Sequence, residues 1–215
     1  MARARGRIVV IAGVNGAGKS SVLGATIREA GGAYFNPDEE TRALLDDRSS
    51  LTLAQANSLA WQLGRRALER SIENRTDFTF ETTLGGRTIA HLLQRAADSG
   101  LEVIVRYVGL DGVERHIARV AARVTRGGHH IDEARIQERY TASREHLILL
   151  LPHLTDLIVF DNSLERDPEE GEAPEPRILL EMENGRTRFI PPVEQIPAWA
   201  RPIVAAAIEC DRRQP

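Results

Sequence analysis

The stretch GVNGAGKS, residues 13–20, constrains the fold of this chain more than any other segment. It matches the pattern G-x-x-x-x-G-K-[ST], in which glycines let backbone amides curl around phosphate oxygens. The apolar run at residues 8–12 predicts a buried strand directly before the loop, and KSSVLGATIREA predicts a helix directly after it. Because the pattern requires this strand–loop–helix context, the sequence predicts an α/β fold that binds nucleotide phosphates.

The loop residues have distinct expected roles. Lys19 should reach the β- and γ-phosphates of ATP, and the Ser20 hydroxyl should hold Mg²⁺. Lys19 is also the only lysine among the 28 lysine and arginine residues, and its compact ammonium suits a narrow hole lined by amides better than a broad guanidinium does. The alternative is a glycine-rich turn without a ligand. The predicted cofactor-binding residues are Gly13, Asn15, Gly16, Ala17, Gly18, Lys19, Ser20 and Ser21.

Composition narrows the classes of partner and location. A formal net charge of −3 and a pI near 6.1 do not favour a nucleic-acid partner. The single cysteine, Cys210, provides no disulfide framework and suits a reducing cytosol. The apolar run near the start is too short for a secretion signal, and no stretch approaches the length of a membrane span. We therefore expect a cytoplasmic protein without a membrane partner, in which 215 residues form one domain.

Strand and helix patterns alternate through the first three quarters of the chain. Strands are predicted at residues 8–12, 33–36, 77–84, 101–110 and 156–163, with helices between them. This alternation predicts a P-loop NTPase fold with a central parallel sheet of about five strands. The long helix within residues 51–75 should bury one face, made of Leu53, Ala56, Ala60, Leu63, Ala67 and Leu68.

The pattern changes after residue 163. Residues 164–176 hold six acidic residues and three prolines, which is typical of a mobile loop. Asn184-Gly185 then predicts a β-hairpin, and a proline-interrupted helix is expected over residues 194–209. The predicted organisation is one P-loop kinase domain, with a core at 7–163, the acidic loop at 164–176 and a C-terminal hairpin and helix at 177–215.

Other NTPase classes lack their signatures in this sequence. The serine-glycine-glycine signature of ABC-type ATPases is missing, and so is an apolar strand that ends in Asp-Glu. The Asn-Lys-x-Asp motif of GTPases needs a second lysine, which the chain does not have. With these two classes excluded, the remaining function for a P-loop protein is transfer of a phosphoryl group to a small acceptor.

Acidic residues follow two of the predicted strands at the sheet edge where open α/β folds bind ligands. Asp38 could accept a proton from an acceptor hydroxyl. The alternative is that Asp38 only lies in the first turn of a helix, where the helix dipole favours a carboxylate. Glu81, Thr82 and Thr83 end the third predicted strand and could contact the acceptor. Their alternative role is to cap the next helix.

An arginine-rich segment, RVAARVTRGGHHIDEARIQERY, surrounds a Gly-Gly hinge at residues 127–128. An arginine brought to the transferring phosphoryl group stabilises the charge spread over its oxygens. The alternative is a solvated helix face, which we expect for Arg119 and Arg135. His129 and His130 are adjacent but lack partners at ligand spacing, so no metal site is expected there.

Five segments, in this order and spacing, resemble the zeta toxin family of P-loop kinases: IAGVNGAGKSS, FNPDE, FTFETTL, RVAARVTRGGHHIDEARIQERYTASREHL and DLIVFDNS. The resemblance covers residues 7–163. It implies a nucleoside-kinase-like fold with a helical lid, and transfer of phosphate from ATP, with Mg²⁺, to a sugar hydroxyl of UDP-N-acetylglucosamine. Related folds phosphorylate antibiotics such as chloramphenicol, so an antibiotic or another hydroxylated metabolite is an alternative acceptor. A nucleotide-binding regulatory module without an acceptor is the third hypothesis.

The resemblance also assigns roles by position. It implies Asp38 as the catalytic base and Arg126 and Arg139 as the pair that binds the γ-phosphate, beside Lys19. It implies Asn36, Asp38, Glu81 and Thr82 as acceptor-binding residues, and Ser20 as the Mg²⁺ ligand. The implied partners are a small-molecule acceptor and an antitoxin protein, although no antitoxin-binding segment is identifiable in the sequence.

Overall fold

The computed structural model describes residues 6–29, 31–48, 50–127, 130–164 and 175–213. Most of the acidic segment predicted as a mobile loop lies outside these ranges, as do Gly128 and His129. The strands are β1 Arg7–Ala12, β2 Phe78–Thr82, β3 Glu102–Gly109, β4 Asp156–Asp161, β5 Arg177–Glu183 and β6 Arg186–Phe189. The helices are α1 Ala25–Glu29, α2 Pro37–Asp47, α3 Leu53–Asn74, α4 Arg87–Asp98, α5 Val113–Val124, α6 Glu133–Leu150 and α7 Arg201–Arg212. A π-helical turn, Ser20–Gly24, leads into α1, and short 3₁₀ turns span Leu151–His153 and Val193–Gln195.

All six strands form one sheet in the order β2-β1-β3-β4-β5-β6. The first four are parallel, whereas β5 and β6 pair antiparallel at one edge. Strand β1 lies between β2 and β3, and Val10 and Ile11 are fully buried, as expected for a strand covered on both faces. The carboxyl ends of β1, β2, β3 and β4 therefore meet at one edge of the sheet, where the P-loop begins.

The predicted strand at residues 33–36 is reduced to a single bridge. Only Phe35 pairs with β2: its amide donates to Thr79 O at 2.9 Å, and its carbonyl accepts from the Glu81 amide at 2.9 Å. The pairing stops there because Asn36 already serves as the N-cap of α2. The parallel part of the sheet thus has four strands, and the hairpin raises the total to six.

The burial predicted for the long helix is partly wrong. Ala56, Ala60 and Leu68 are fully buried, but Leu53 and Leu63 are exposed. The buried stripe of α3 continues instead through Ser71 and Ile72 toward its C-terminus. The helix starts with a capping box, in which Thr52 Oγ1 accepts from the Gln55 amide.

The C-terminal segment is part of the main core. The predicted hairpin forms with Asn184 at φ 51° and Gly185 at φ 75°, and β5 extends the main sheet beside β4. Trp199 packs against Tyr107 of β3, with ring centroids 6.3 Å apart. The final helix was predicted to start at residue 194 but begins at Arg201, because Ile196, directly before Pro197, is extended and ends the 3₁₀ turn of Val193–Gln195.

Within the described ranges, the helices are too short or too polar for any of them to cross a bilayer.

Candidate active site

The P-loop leaves β1 in a tightly specified conformation. Gly13, Gly16 and Gly18 have φ values of 139°, 84° and 90°, a region that residues with a Cβ rarely adopt. A Cβ on Gly13 would also lie 2.1 Å from the Val108 carbonyl oxygen of the neighbouring strand. The backbone path therefore favours glycine at all three positions, and the close approach of β3 requires it at Gly13.

Lys19 is buried at the base of this loop, with 6% of its surface exposed. Its Nζ donates to the Val14 carbonyl at 3.4 Å and lies 3.4 Å from Glu81 Oε1. A buried ammonium needs such partners because an unpaired charge is costly away from water. The Glu81 carboxylate is thus the ion-pair partner of Lys19 in this structure.

Glu81 also contacts the predicted metal ligand. Ser20 Oγ donates to Glu81 Oε2 at 2.7 Å, and the register of β1 with β2 brings Glu81 opposite Ile11, directly before the loop. A hydroxyl and a carboxylate side by side are the hard oxygen donors that Mg²⁺ prefers. The residues present therefore fit a Mg²⁺ ion held at Ser20, with Glu81 next to it.

Asn36 and Asp38 stand at the start of α2, across from the loop. Asn36 Oδ1 accepts from the Asp38 amide at 2.9 Å, and its Nδ2 donates to Glu81 Oε2 at 3.4 Å. The Asp38 carboxylate is about half exposed and accepts from Arg123 Nη1 of α5 at 3.4 Å. Asp38 occupies the first turn of α2 and, at the same time, lines the cleft shared with Lys19.

The two predicted phosphate-binding arginines differ in their surroundings. Arg139 Nη1 donates to Asn15 Oδ1 of the P-loop at 2.7 Å, and burial lowers the pKa of its guanidinium. Arg126 is exposed at the mouth of the cleft, where its Nε donates to the Ala122 carbonyl at 3.2 Å. Arg139 is thus hydrogen-bonded to the loop, whereas Arg126 is hydrogen-bonded to the end of α5 and exposed.

The threonines after β2 do not cap the next helix. Helix α4 has Gly86 as its N-cap, without a capping side chain. Thr82 Oγ1 accepts from the Leu84 amide at 3.0 Å, and Thr83 Oγ1 accepts from the Gly85 amide at 3.4 Å. The helix-capping alternative for these residues is therefore wrong; they stabilise a turn in which Leu84 has φ 53°.

Sequence reasoning missed Asn162, which supports the P-loop from the end of β4. Its Nδ2 donates to the Ala17 carbonyl at 2.9 Å, and a Cβ on Gly18 would lie 2.4 Å from that nitrogen. Arg119, expected on a solvated face, is half-buried and donates to the Asn162 carbonyl at 2.9 Å. The segment DNS directly after an apolar strand was the available signal. Arg135 is exposed, as predicted.

His116 is a second unpredicted support of the loop. It is 1% exposed, and its Nδ1 lies 2.9 Å from the Asn15 carbonyl oxygen. Since a carbonyl only accepts, Nδ1 carries the proton and donates it. Burial is the main cause that lowers the pKa of His116 from 6.5 to about 4, so the ring is neutral at physiological pH. The Tyr140 ring packs edge-on against it at 5.5 Å.

These elements enclose one large cleft of about 1700 Å³. His130 lines its rim and is exposed, and the described residues contain no cluster of three or more metal-ligating side chains. Although the chain carries a net negative charge, basic side chains outnumber acidic ones in the cleft wall. The basic ones are Lys19, Arg115, Arg119, Arg123, Arg126, Arg135 and Arg139, and the acidic ones are Asp38, Glu81, Glu114, Asp132 and Glu138.

Comparison with known proteins supplies further evidence. Residues 1–163 match the family described as Zeta toxin. An uncharacterized protein of Haemophilus influenzae is 30% identical over 139 residues, which span 62% of this chain and 92% of that protein.

Solved structures agree in fold. The AvrRxo1-ORF1:AvrRxo1-ORF2 crystal structure with sulphate ions has a TM-score of 0.65 at 15% identity, covering 97% of this chain and 75% of that chain. The AvrRxo1-ORF1:-ORF2 structure with ATP has a TM-score of 0.64 at 16% identity, covering 94% and 64%. The PezAT chromosomal toxin-antitoxin system of Streptococcus pneumoniae has a TM-score of 0.54 at 12% identity, covering 80% and 74%. At these identities the likeness shows the fold alone.

Proposed function

The chain belongs to the zeta toxin family, and from this premise we propose that it is a kinase that uses ATP and Mg²⁺ to phosphorylate a hydroxyl group of a small molecule. The proposed acceptor is a UDP-activated amino sugar such as UDP-N-acetylglucosamine. One observation carries the proposal: the buried Lys19 of the P-loop and the half-exposed carboxylate of Asp38 line the same cleft.

The nucleotide-binding part follows from the loop. When bound, ATP supplies the phosphoryl group, and Mg²⁺ neutralises charge as it is transferred. Lys19 would leave Glu81 and bind phosphate oxygens, and Ser20 would hold the metal through its hydroxyl. Arg139, already hydrogen-bonded to Asn15, would stabilise the equatorial oxygens, together with Arg126 once it has moved inward.

The acceptor part depends on Asp38. Its carboxylate would take the proton that the acceptor hydroxyl releases, as the general base of the reaction. Arg123 pairs with this carboxylate at 3.4 Å and would have to release it, or tilt with it, when the acceptor enters. Asn36, Glu81 and Thr82 line the same cleft and would contact the acceptor.

An antitoxin partner and a cytoplasmic location complete the proposal. The partner is proposed because PezAT, which has a similar fold, is a toxin-antitoxin system, and the location because a single cysteine suits a reducing cytosol. The cleft that we assign to both substrates is open, so a protein that covers it would inhibit the kinase.

The test is a transfer assay with purified protein. ATP, MgCl₂ and UDP-N-acetylglucosamine are incubated with the wild type and with Lys19→Ala, and ³¹P NMR and mass spectrometry follow the products. We expect a phosphorylated nucleotide sugar with the wild type alone. Phosphorylation of chloramphenicol instead would replace the proposed acceptor with an antibiotic. ATP binding without transfer to any acceptor in the panel would show a regulatory module.

A further inference from the structure

We infer that Trp61 is a stacking residue of the acceptor site, so that the acceptor carries a planar unsaturated ring. This inference rests on the proposed function and adds the chemical class of the acceptor. The ring could be the base of a nucleotide sugar or the aromatic ring of an antibiotic, and the test below separates the two.

The position of Trp61 is unusual for this chain. The two tryptophans are Trp199, which is 3% exposed in the core, and Trp61, which is 46% exposed on α3. Trp61 and Asn57, one helical turn before it, both line the cleft. A large aromatic ring with half its surface in water at a cleft wall offers a flat apolar face to a ligand.

Packing places Trp61 near Asn36 and Asp38, in the part of the cleft that we call the acceptor half. Gly64, three residues further along α3, lies so close to Phe35 that a Cβ on it would be 2.6 Å from Phe35 Cε1. Phe35 directly precedes Asn36, the N-cap of α2, and Asp38 follows two residues later. The part of the cleft wall formed by α2 and α3 therefore contains both Trp61 and the proposed base.

Neighbouring side chains restrain the indole ring. The Arg65 guanidinium lies 5.7 Å from the centroid of the Trp61 ring, and Arg65 Nη1 is held by Glu69 Oε1 at 3.2 Å. Such a cation–π contact limits the orientations of the ring. A restrained ring loses less conformational freedom when a ligand stacks on it than a freely rotating one does.

The surrounding groups fit a ring-bearing acceptor with anionic groups. Asn57 Oδ1 accepts from Thr41 Oγ1 at 3.0 Å, which fixes the amide next to the indole ring. Basic side chains outnumber acidic ones in the cleft wall, so the cleft favours anionic groups such as a diphosphate. Stacking would thus select for the ring, while the basic side chains would attract the charge.

The test compares Trp61→Leu, which removes the aromatic face, with Trp61→Phe, which keeps one. Isothermal titration calorimetry measures binding of UDP-N-acetylglucosamine, of chloramphenicol and of N-acetylglucosamine 1-phosphate, here called the ring-free probe because its saturated sugar is its only ring. Because stacking on an aromatic side chain is typically worth a tenfold effect or more, we expect Trp61→Leu to weaken binding of one ring-bearing probe about tenfold. Trp61→Phe should stay within about threefold of the wild type. Binding of the ring-free probe and of ATP should not change.

The matched control is Leu63→Ala, which removes an exposed apolar side chain from the same helix but outside the cleft wall. It should bind all probes like the wild type, and thermal unfolding checks that every variant is folded. The inference is overturned if the wild type binds neither ring-bearing probe or if Trp61→Leu binds both like the wild type. It is also overturned if Trp61→Leu loses as much affinity for the ring-free probe as for the ring-bearing one.

Binding and transfer are measured separately, so the two proposals can fail independently. Ring-dependent binding without phosphorylation would overturn the kinase and leave the role of Trp61. If Trp61→Leu phosphorylates the acceptor with an unchanged KM, the role of Trp61 is overturned and the kinase proposal stands.

Discussion

The two halves of the cleft are built differently. In the nucleotide half, the P-loop is held from three sides by short hydrogen bonds: from His116 to Asn15 O, from Arg139 to Asn15 Oδ1 and from Asn162 to Ala17 O, at 2.9, 2.7 and 2.9 Å. In the acceptor half, Asp38 meets α5 through one half-exposed ion pair of 3.4 Å, and Trp61 is open to water.

This difference separates a preorganised site from an adaptable one. A loop whose amides are already positioned stabilises developing charge without reorganising during the reaction. An open half, in contrast, can accept acceptors of different shape. We therefore expect nucleotide-side variants to affect ATP binding and transfer together, and acceptor-side variants to affect transfer or acceptor binding alone.

The largest expected effect is that of Lys19→Ala. Loss of the ammonium removes charge stabilisation at the phosphates and leaves the buried Glu81 carboxylate without its cationic partner. We expect kcat/KM for transfer to fall by at least about 10⁴-fold, together with weaker ATP binding measured by calorimetry. Lys19→Arg should fail similarly, because the broad guanidinium does not fit under the loop. If both variants bind ATP like the wild type, the P-loop half of the cleft is not the nucleotide site.

Asp38→Asn should separate the two halves most clearly. The amide keeps the shape of the side chain but cannot take a proton, so kcat should fall by about 10³-fold. The dissociation constant of ATP should stay within about twofold of the wild type, because Asp38 lies across the cleft from the loop. A variant with wild-type turnover would show that another group is the base.

Arg126→Lys should reduce kcat by about 10²-fold, because a point charge does not reproduce the bidentate fork at a phosphate. Arg135→Lys is the matched control: it is also exposed on the cleft wall, but we assign it no contact with the γ-phosphate. It should keep turnover within about threefold of the wild type. Equal turnover of the wild type and Arg126→Lys would place Arg126 outside the transfer step.

The smallest expected effect concerns stability and the support of the loop by His116. Its folded pKa, about 4, lies below the unfolded value of 6.5, so the unfolded chain binds more protons between these values. Its contribution is therefore fully present above pH 6.5 and is lost as the pH falls toward 4. Between pH 7 and pH 5, the free energy of unfolding of the wild type should fall by about 2 kcal/mol more than that of His116→Asn. The amide of the variant can still donate to Asn15 O.

Urea unfolding at both pH values measures this difference. His91→Asn, on the exposed face of α4, is the control and should retain the wild-type pH dependence. If His116→Asn loses stability with pH as steeply as the wild type does, the buried ring is not the neutral donor that we describe.

Much of the fold could be predicted because its signals are local. The strand–loop–helix around Lys19, the alternation of strands and helices, and the Asn184-Gly185 hairpin each depend on neighbouring residues. The predictions failed where tertiary contacts determine the conformation or burial of a residue. Residues 33–36 looked like a strand, but Asn36 caps α2 after a single bridge. Leu63 matched the helical period, yet it lies beyond the surface that α3 buries.

The site could be predicted only in part for the same reason. The motif identified Lys19 and Ser20, and the family resemblance added Asp38 and Arg139, whose roles stay predictions. The contacts of Asn162 with the loop join residues 145 positions apart, and the ion pair of Arg123 with Asp38 joins residues 85 positions apart. No local pattern encodes such pairings, because they arise when the parallel strands bring their ends to one edge.

The sequence by itself determined that this chain has a glycine-rich P-loop after a buried strand, because the backbone path there requires glycine. Only the tertiary structure decided what supports that loop, what faces it and how open the acceptor half is. The physical reason is that positive-φ geometry and strand burial depend on adjacent residues, whereas ion pairs and ring exposure depend on which distant elements pack together.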